Sequence, residues 1–328
     1  MSQTVTFPNG RKMPLVGLGT WLATNEQEIE TAVNEALQAG YRHFDTAYMY
    51  TNEKTIGRVL KQWIDSGKIT REELFIVTKL PMIGNTPEKV GHFVQLQLEA
   101  LQLDYLDLYL IHAPIGFKYS NDTELVPKGQ DGKIAIDMST NLEAIWTEME
   151  AQVNSGKIKS IGVSNFNSKQ IERIVKIAKV PLSNIQVELY VYFQQKALRE
   201  TCAKHNITVC AYGPLGSPGR GALYASRGVT FDAQNPMEEP VVKEIAKKHN
   251  KTPAQILLRF LVQHKIVVIP KSTNPQRLRQ NIEIYDFELS SVDMGRLEAL
   301  DRGDKGRTFG LDSFPGVDKH PECPYLLK

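Results

Sequence analysis

A chain of 328 residues, 41% hydrophobic and 23% charged, holds enough apolar material for a sizeable core and reads as one large domain spanning 1–328. Its 39 basic and 37 acidic residues leave a formal charge of +2 and are spread along the chain without a phosphate-neutralising stripe, so no nucleic-acid partner is expected. No apolar run approaches the roughly 18 residues of a membrane span, and MSQTVTFPNG does not read as a signal peptide; no membrane association and a cytoplasmic setting are expected.

In chain order, Asn9-Gly10 within Val5–Pro14 predicts an amino-terminal β-hairpin. Short apolar runs then predict buried strands at Leu15–Gly19, His43–Asp45, Phe75–Thr78, Leu106–Ile111, Ile161–Ser164, Ile185–Leu189, Thr208–Tyr212 and Ile266–Ile269. Helical spacing lies between them: Ile29, Ala32, Val33 and Ala36; Ile56, Val59, Leu60 and Trp63; Val90, Phe93, Val94 and Leu101; Leu142, Ile145, Trp146 and Met149; Ile171, Ile174, Val175 and Ala178. Thr86-Pro87, Thr252-Pro253 and Asn274-Pro275 read as capped helix starts, Thr140 with Glu143 as a capping box, and Gly40, Gly67 and Gly156 as helix stops.

Strand followed by helix, eight times over, points to a closed parallel barrel or a doubly wound sheet. Gly17-Leu-Gly19 continues into Thr20-Trp21-Leu22 and so lacks the dinucleotide fingerprint of the open fold. Polar residues instead gather at the carboxyl ends of the strands, as Asp45, Lys79, His112, Ser164-Asn165, Gln186, Tyr212 and Lys271, where a (β/α)8 TIM barrel keeps its chemistry. The expected fold is therefore α/β, a (β/α)8 barrel with long loops at its carboxyl-terminal face. Those loops are 113–141, 213–236 and the tail 301–328, which would project from or fold back over that face. Cys202, Cys210 and Cys323 have neither metal-site spacing nor an even count, so thiols in a reducing cytosol are expected, and no metal.

Gly40-Tyr-Arg-His-Phe-Asp45-Thr-Ala-Tyr48-Met-Tyr50-Thr-Asn-Glu53 resembles the first signature of the aldo-keto reductases, and Ile269-Pro-Lys271-Ser272-Thr273 the last. Lys79-Leu, Ile111-His112-Ala-Pro114, Gly162-Val-Ser164-Asn165-Phe166 and Ala211-Tyr212-Gly-Pro-Leu215-Gly-Ser217 are similar to the family in order between them, so the likeness runs through the whole chain.

Carbonyl reduction needs a hydride on carbon and a proton on oxygen. A tyrosine, with an ordinary pKa of about 10, profits as acid from a cation that stabilises its phenolate. Tyr50 is the candidate acid and Lys79 the cation, with Asp45 holding the ammonium; the resemblance implies the same contacts, with His112 orienting the carbonyl. Tyr212 offers a face for a nicotinamide ring. The resemblance implies Ser164, Asn165 and Gln186 on its carboxamide, and Gly19, Thr20 and Trp21 beside the cofactor. The glycine-rich run Gly213–Gly221, with Gly213, Leu215 and Ser217, would cradle a pyrophosphate. Lys271 and Arg277, two cations near one helix start, suit a ribose 2′-phosphate, so NADPH/NADP+ is the expected cofactor. Ser272, Thr273, Gln280 and Asn281 match family positions for that phosphate and adenine. Gly213 and Gln280 depart from the serine and glutamate often found there.

The substrate residues expected are Trp21, Tyr50, His112 and Ala113. Ala113 stands where the aldose reductase branch has a tryptophan, which opens the pocket to bulky, hydrophobic carbonyls. Pro114-Ile-Gly-Phe117-Lys is similar to insect members, among them reductases of 3-dehydroecdysone, which suggests an ecdysteroid ketone. The partner expected is thus a small-molecule carbonyl compound, with no obligate protein partner inferred. Rival readings are a Schiff-base aldolase built on Lys79 and a non-catalytic NADPH-binding relative.

Overall fold

The computed structural model describes residues 3–221, 224, 235–310 and 316–325. Parts of the predicted loop 213–236 and of the tail 301–328 therefore lie outside the described residues.

Strands β1 (Thr4–Thr6) and β2 (Lys12–Pro14) pair antiparallel, Thr4 opposite Pro14. Their turn is longer than the Asn-Gly dipeptide: Phe7 N–H donates to Arg11 O, and Gly10, at φ +82°, donates to Phe7 O. Glycine takes that left-handed conformation without steric penalty. Met13 is wholly buried against Asn184, and Phe7 packs edge-on to Phe75. The hairpin thus closes the end of the barrel from which the strands start.

The barrel strands are β3 (Leu18–Gly19), β4 (His43–Asp45), β5 (Phe75–Leu80), β6 (Leu108–Ile111), β9 (Ile161–Ser164), β10 (Leu182–Glu188), β11 (Thr208–Tyr212) and β12 (Val267–Val268); β7 (Gly116–Phe117) and β8 (Ile136–Asp137) form a small hairpin in the loop after β6. All eight barrel strands are parallel, in chain order. Parallel bridges Val16–Val268 and Gly19–Lys271 join first to last and close the ring. At that seam a side chain on Gly19 would meet Ile269 O at 2.4 Å, so only glycine allows the approach. Each of the eight predicted strands is present, although the first, fourth and last are shorter than their apolar runs. β5, β6, β9 and β10 are buried at every position, as expected of strands covered on both faces.

The covering helices α1 (Glu26–Gln38), α2 (Glu53–Asp65), α3 (Pro87–Leu101), α4 (Leu142–Asn154) and α5 (Ser168–Ile177) bury most of the predicted stripes, with Trp63 and Val175 half-buried and Ala178 just past the end of α5. Next come α6 (Lys196–Lys204), α7 (Pro240–His249), α8 (Pro253–Gln263), α9 (Pro275–Ile282) and α10 (Ser291–Glu298). Gly40, Gly67 and Gly156 follow α1, α2 and α4 with positive φ, as helix stops do. Two starts are corrected: Thr86 stands at the N-cap of α3 before Pro87, but its side chain makes no capping hydrogen bond. α4 is capped by Asn141, whose side chain accepts from Ala144 N–H, whereas Thr140 Oγ donates to Asp137 O and closes a turn instead.

Candidate active site

Strand register brings the predicted residues to one end of the barrel. Asp45 ends β4, Lys79 is the penultimate residue of β5, His112 follows β6, Ser164 ends β9, and Gln186 lies near the end of β10. A cavity of about 1130 Å³ opens there. Its lining includes all the sequence-predicted cofactor and substrate residues, from Gly19, Thr20 and Trp21 to Arg277, Gln280 and Asn281. Lys79 is absent from that lining: it lies wholly buried beneath Asp45 and Tyr50.

The floor is tightly bonded. Lys79 Nζ donates to Asp45 Oδ1 at 2.6 Å and to Thr46 O at 2.8 Å, while Gln186 Nε2 donates to Asp45 Oδ2 at 2.7 Å. Both carboxylate oxygens are therefore taken, and the ammonium is fixed in direction. Burial is the largest single influence on Lys79 and works against its charge, but attraction to Asp45 and Tyr50, with the hydrogen bond to Asp45, together raise the pKa above the ordinary lysine value. A lysine so held stays protonated and is unsuited to forming a Schiff base.

Tyr50 ends a 3₁₀ turn, Tyr48–Tyr50, after which Thr51 turns left-handed at φ 56°. Asn52 fixes this turn to the strand ends, accepting from Thr46 Oγ and donating to Thr20 O and Ala23 O. The Lys79 ammonium is 5.1 Å from the Tyr50 ring centroid. Burial pushes the Tyr50 hydroxyl above its usual range, against a downward pull from Lys79. The cation thus acts in the expected direction without reversing the effect of burial.

His112 faces Tyr50 edge-on, ring centroids 5.7 Å apart. Burial, with repulsion from Lys79, pushes its pKa down to about 3, so the ring is neutral at physiological pH. Its Nδ1 is buried without a hydrogen-bond partner. An orphaned N–H is costlier than an orphaned lone pair, which favours the tautomer carrying its proton on Nε2.

Three polar side chains line the cavity beside this floor. Asn165, at φ 62°, donates to His112 O and Ser164 Oγ and accepts from Tyr212 Oη. Much of its amide, like the Gln186 amino group, is thus committed to organising the site. Among the described residues, Ser164 O–H remains as a donor, with Gln186 Oε1 and a second lone pair on Asn165 Oδ1 as acceptors. At the far end of the cavity, Asn274 caps α9 through Arg277 N–H, and Ser272 Oγ accepts from Asn274 N–H. Lys271 and Arg277 line this end, and neither is ion-paired among the described residues.

The sequence predicts a tail that projects from or folds back over this face, but singles out none of its residues. Phe309 packs edge-on against Tyr212, centroids 5.0 Å apart, and lies 5.5 Å from Trp21; Tyr325 and Val317 also line the cavity. The tail therefore folds over the mouth. Phe309-Gly310 lies in a stretch without periodicity, so nothing in its spacing marks it.

A model of the aldo/keto reductase family matches residues 15–302. Aldo-keto reductase family 1 member A1 of Mus musculus is 42% identical over 302 residues, 92% of this chain and 90% of that protein. Member A1-A of Danio rerio is 40% identical over 337 residues, 99% of each chain. The solved aldose reductase of Schistosoma japonicum is similar across 99% of both chains, with a TM-score of 0.88 and 37% identity.

Proposed function

The chain belongs to the aldo/keto reductase family, whose members are oxidoreductases acting on carbonyl groups, and from that premise we propose that it reduces aldehydes and ketones with NADPH, Tyr50 supplying the proton. The observation that carries this reading is the convergence of Asp45, Lys79, Tyr50 and His112 on the floor of one cavity. NADPH would supply the hydride. A neutral His112 orients the carbonyl by donating from Nε2, and Tyr50 gives up its proton as charge develops on the oxygen. Lys79 then stabilises the tyrosinate, its own charge secured by Asp45.

The residues present suit a phosphorylated dinucleotide. Among the described residues a donor on Ser164 and acceptors on Gln186 and Asn165 are left to complement a primary carboxamide, with Tyr212 as platform. Gly213, Leu215 and Ser217 border the middle of the cleft. Lys271 and Arg277, cations without an ion pair among the described residues, favour a 2′-phosphate and hence NADPH over NADH. Ser272, Thr273, Gln280 and Asn281 would complete that end.

For the substrate, the wall near His112 is apolar: Trp21, Met49, Met82, Ala113, Ile115 and Phe309. This supports bulky hydrophobic carbonyls, with an ecdysteroid ketone as one candidate. We place the enzyme in the cytoplasm as a single catalytic domain, a reading supported by three free, buried cysteines.

A carbonyl panel run with NADPH and NADH side by side tests the proposal. Turnover of aromatic aldehydes with a clear NADPH preference is expected, and Arg277→Leu should raise the NADPH KM about 10-fold or more while sparing NADH, as befits loss of a charged hydrogen bond. No turnover with any carbonyl would overturn the reading. A dehydro-ecdysteroid reduced no better than benzaldehyde would remove that substrate.

A further inference from the structure

The segment after Tyr212 and the tail meet at a buried arginine. Arg220 is 1% exposed, and its guanidinium carbon stands 3.5 Å from the Phe309 ring centroid. Nη1 donates to Thr308 Oγ at 2.9 Å, and Nη2 donates to Thr308 O at 2.8 Å and Tyr224 Oη at 2.7 Å. Thr308 passes the contact on: its hydroxyl donates to Glu188 Oε1, and its N–H and that of Phe309 donate to the same carboxylate. Guanidinium, hydroxyl and carboxylate thus form a relay across the loop at 213–221, the tail and the end of β10. Burial pushes the Glu188 carboxyl up, while the Thr308 and Phe309 hydrogen bonds and the Arg220 charge hold it down.

The relay joins two parts of the cavity with different tasks. Gly213, Leu215 and Ser217 border the dinucleotide cleft; Phe309 stands between Tyr212 and Trp21 as part of the carbonyl wall. Arg220 is tied to backbone and side chain of the residue next to Phe309, so lifting the loop strips the ring of its guanidinium cover and frees Thr308 to move. We propose that Arg220 is a positioning residue that sets the Phe309 wall from the dinucleotide loop, so that cofactor and carbonyl compound each tighten the binding of the other. This rests on the function proposed above. The coupling is reciprocal, because it is a free energy shared by two sites.

The test is NADPH affinity, read by quenching of protein fluorescence, with and without saturating benzyl alcohol, which cannot react with the reduced nucleotide. Wild type should bind NADPH about 5-fold or more tightly when the alcohol is present, in the usual range of such couplings. Arg220→Met, which keeps the apolar stem and removes the donors, should bring that factor close to one. Arg220→Lys should restore part of it. Thr308→Val, which interrupts the relay and leaves Arg220 in place, should lower the factor too, and it decides the matter alone if Arg220→Met does not fold. In both variants the preference for naphthaldehyde over propanal in kcat/KM should shrink. An unchanged coupling factor in both variants overturns the inference while benzaldehyde reduction leaves the proposed function standing. A wild type that binds no NADPH overturns both.

Discussion

Two buried aspartates sit at opposite ends of the barrel, Asp107 held by two arginines and Asp45 by a lysine and an amide, and Asp45 lines the large cavity. Asp107, just before β6, accepts from Arg11 at 3.0 Å, from Arg71 at 2.7 Å and from Ile76 N–H at 3.0 Å. Arg71 also donates to Tyr105 O and stacks 3.8 Å over the Tyr105 ring. This cluster fastens the hairpin and the loop before β5 to the closed end. Asp45 is held as firmly by Lys79 and Gln186, but Tyr50 and an open cavity stand beside it. A charged pair within a barrel is thus not itself a sign of chemistry. What distinguishes the two is an acid beside the cation and space for a reactant beside the acid, at the end of the barrel where strands terminate.

Substitution at each end should separate the two roles. The largest effect is expected from Lys79→Met, which removes the cation and leaves Asp45 under-compensated: turnover should fall about 10²–10⁴-fold, and loss of one partner from a buried pair should cost about 3–5 kcal/mol of stability. Steady-state kinetics and denaturant melts check both. A smaller, purely structural effect is expected from Asp107→Asn, about 1.5–3 kcal/mol, towards the low end because Arg11 is partly exposed. Turnover per folded molecule should not change; a fall in kcat at unchanged folded fraction would erase the contrast.

A further effect, on stability alone, concerns pH. His112 near the cavity and His43 deep in the barrel are pushed down to about 3 and about 4 by burial, from an ordinary 6.5. The unfolded chain takes up protons below about 6.5 that the folded chain refuses. Their contribution is therefore present above that pH and is lost as pH falls towards 4 and 3. Stability measured from pH 7 to 4 should decline, less steeply in His112→Asn, and kcat should show no break near 6.5 from this residue.

The floor of the site was legible because each member ends a strand: period and apolar runs located β4, β5 and β6, and Asp45, Lys79 and His112 sit at or beside their ends. Tyr50 came from its motif, since no spacing reveals a 3₁₀ turn held by Asn52. Phe309 and Arg220 were illegible for a different reason. Their places depend on Thr308 and Glu188, 120 residues apart in sequence, meeting across the mouth. The capping error at Thr140 has the same origin in miniature: two adjacent residues both fit the cap, and Asp137 O decides between them.

The most direct test of Tyr50 as proton donor is Tyr50→Phe, followed by NADPH titration and benzaldehyde turnover on the same preparation. Removing one hydroxyl from a packed ring should leave NADPH affinity within about 2-fold and lower turnover about 10²–10⁴-fold, the range attributed to a positioned general acid. Tyr50→Phe that turns over benzaldehyde like wild type would contradict the account.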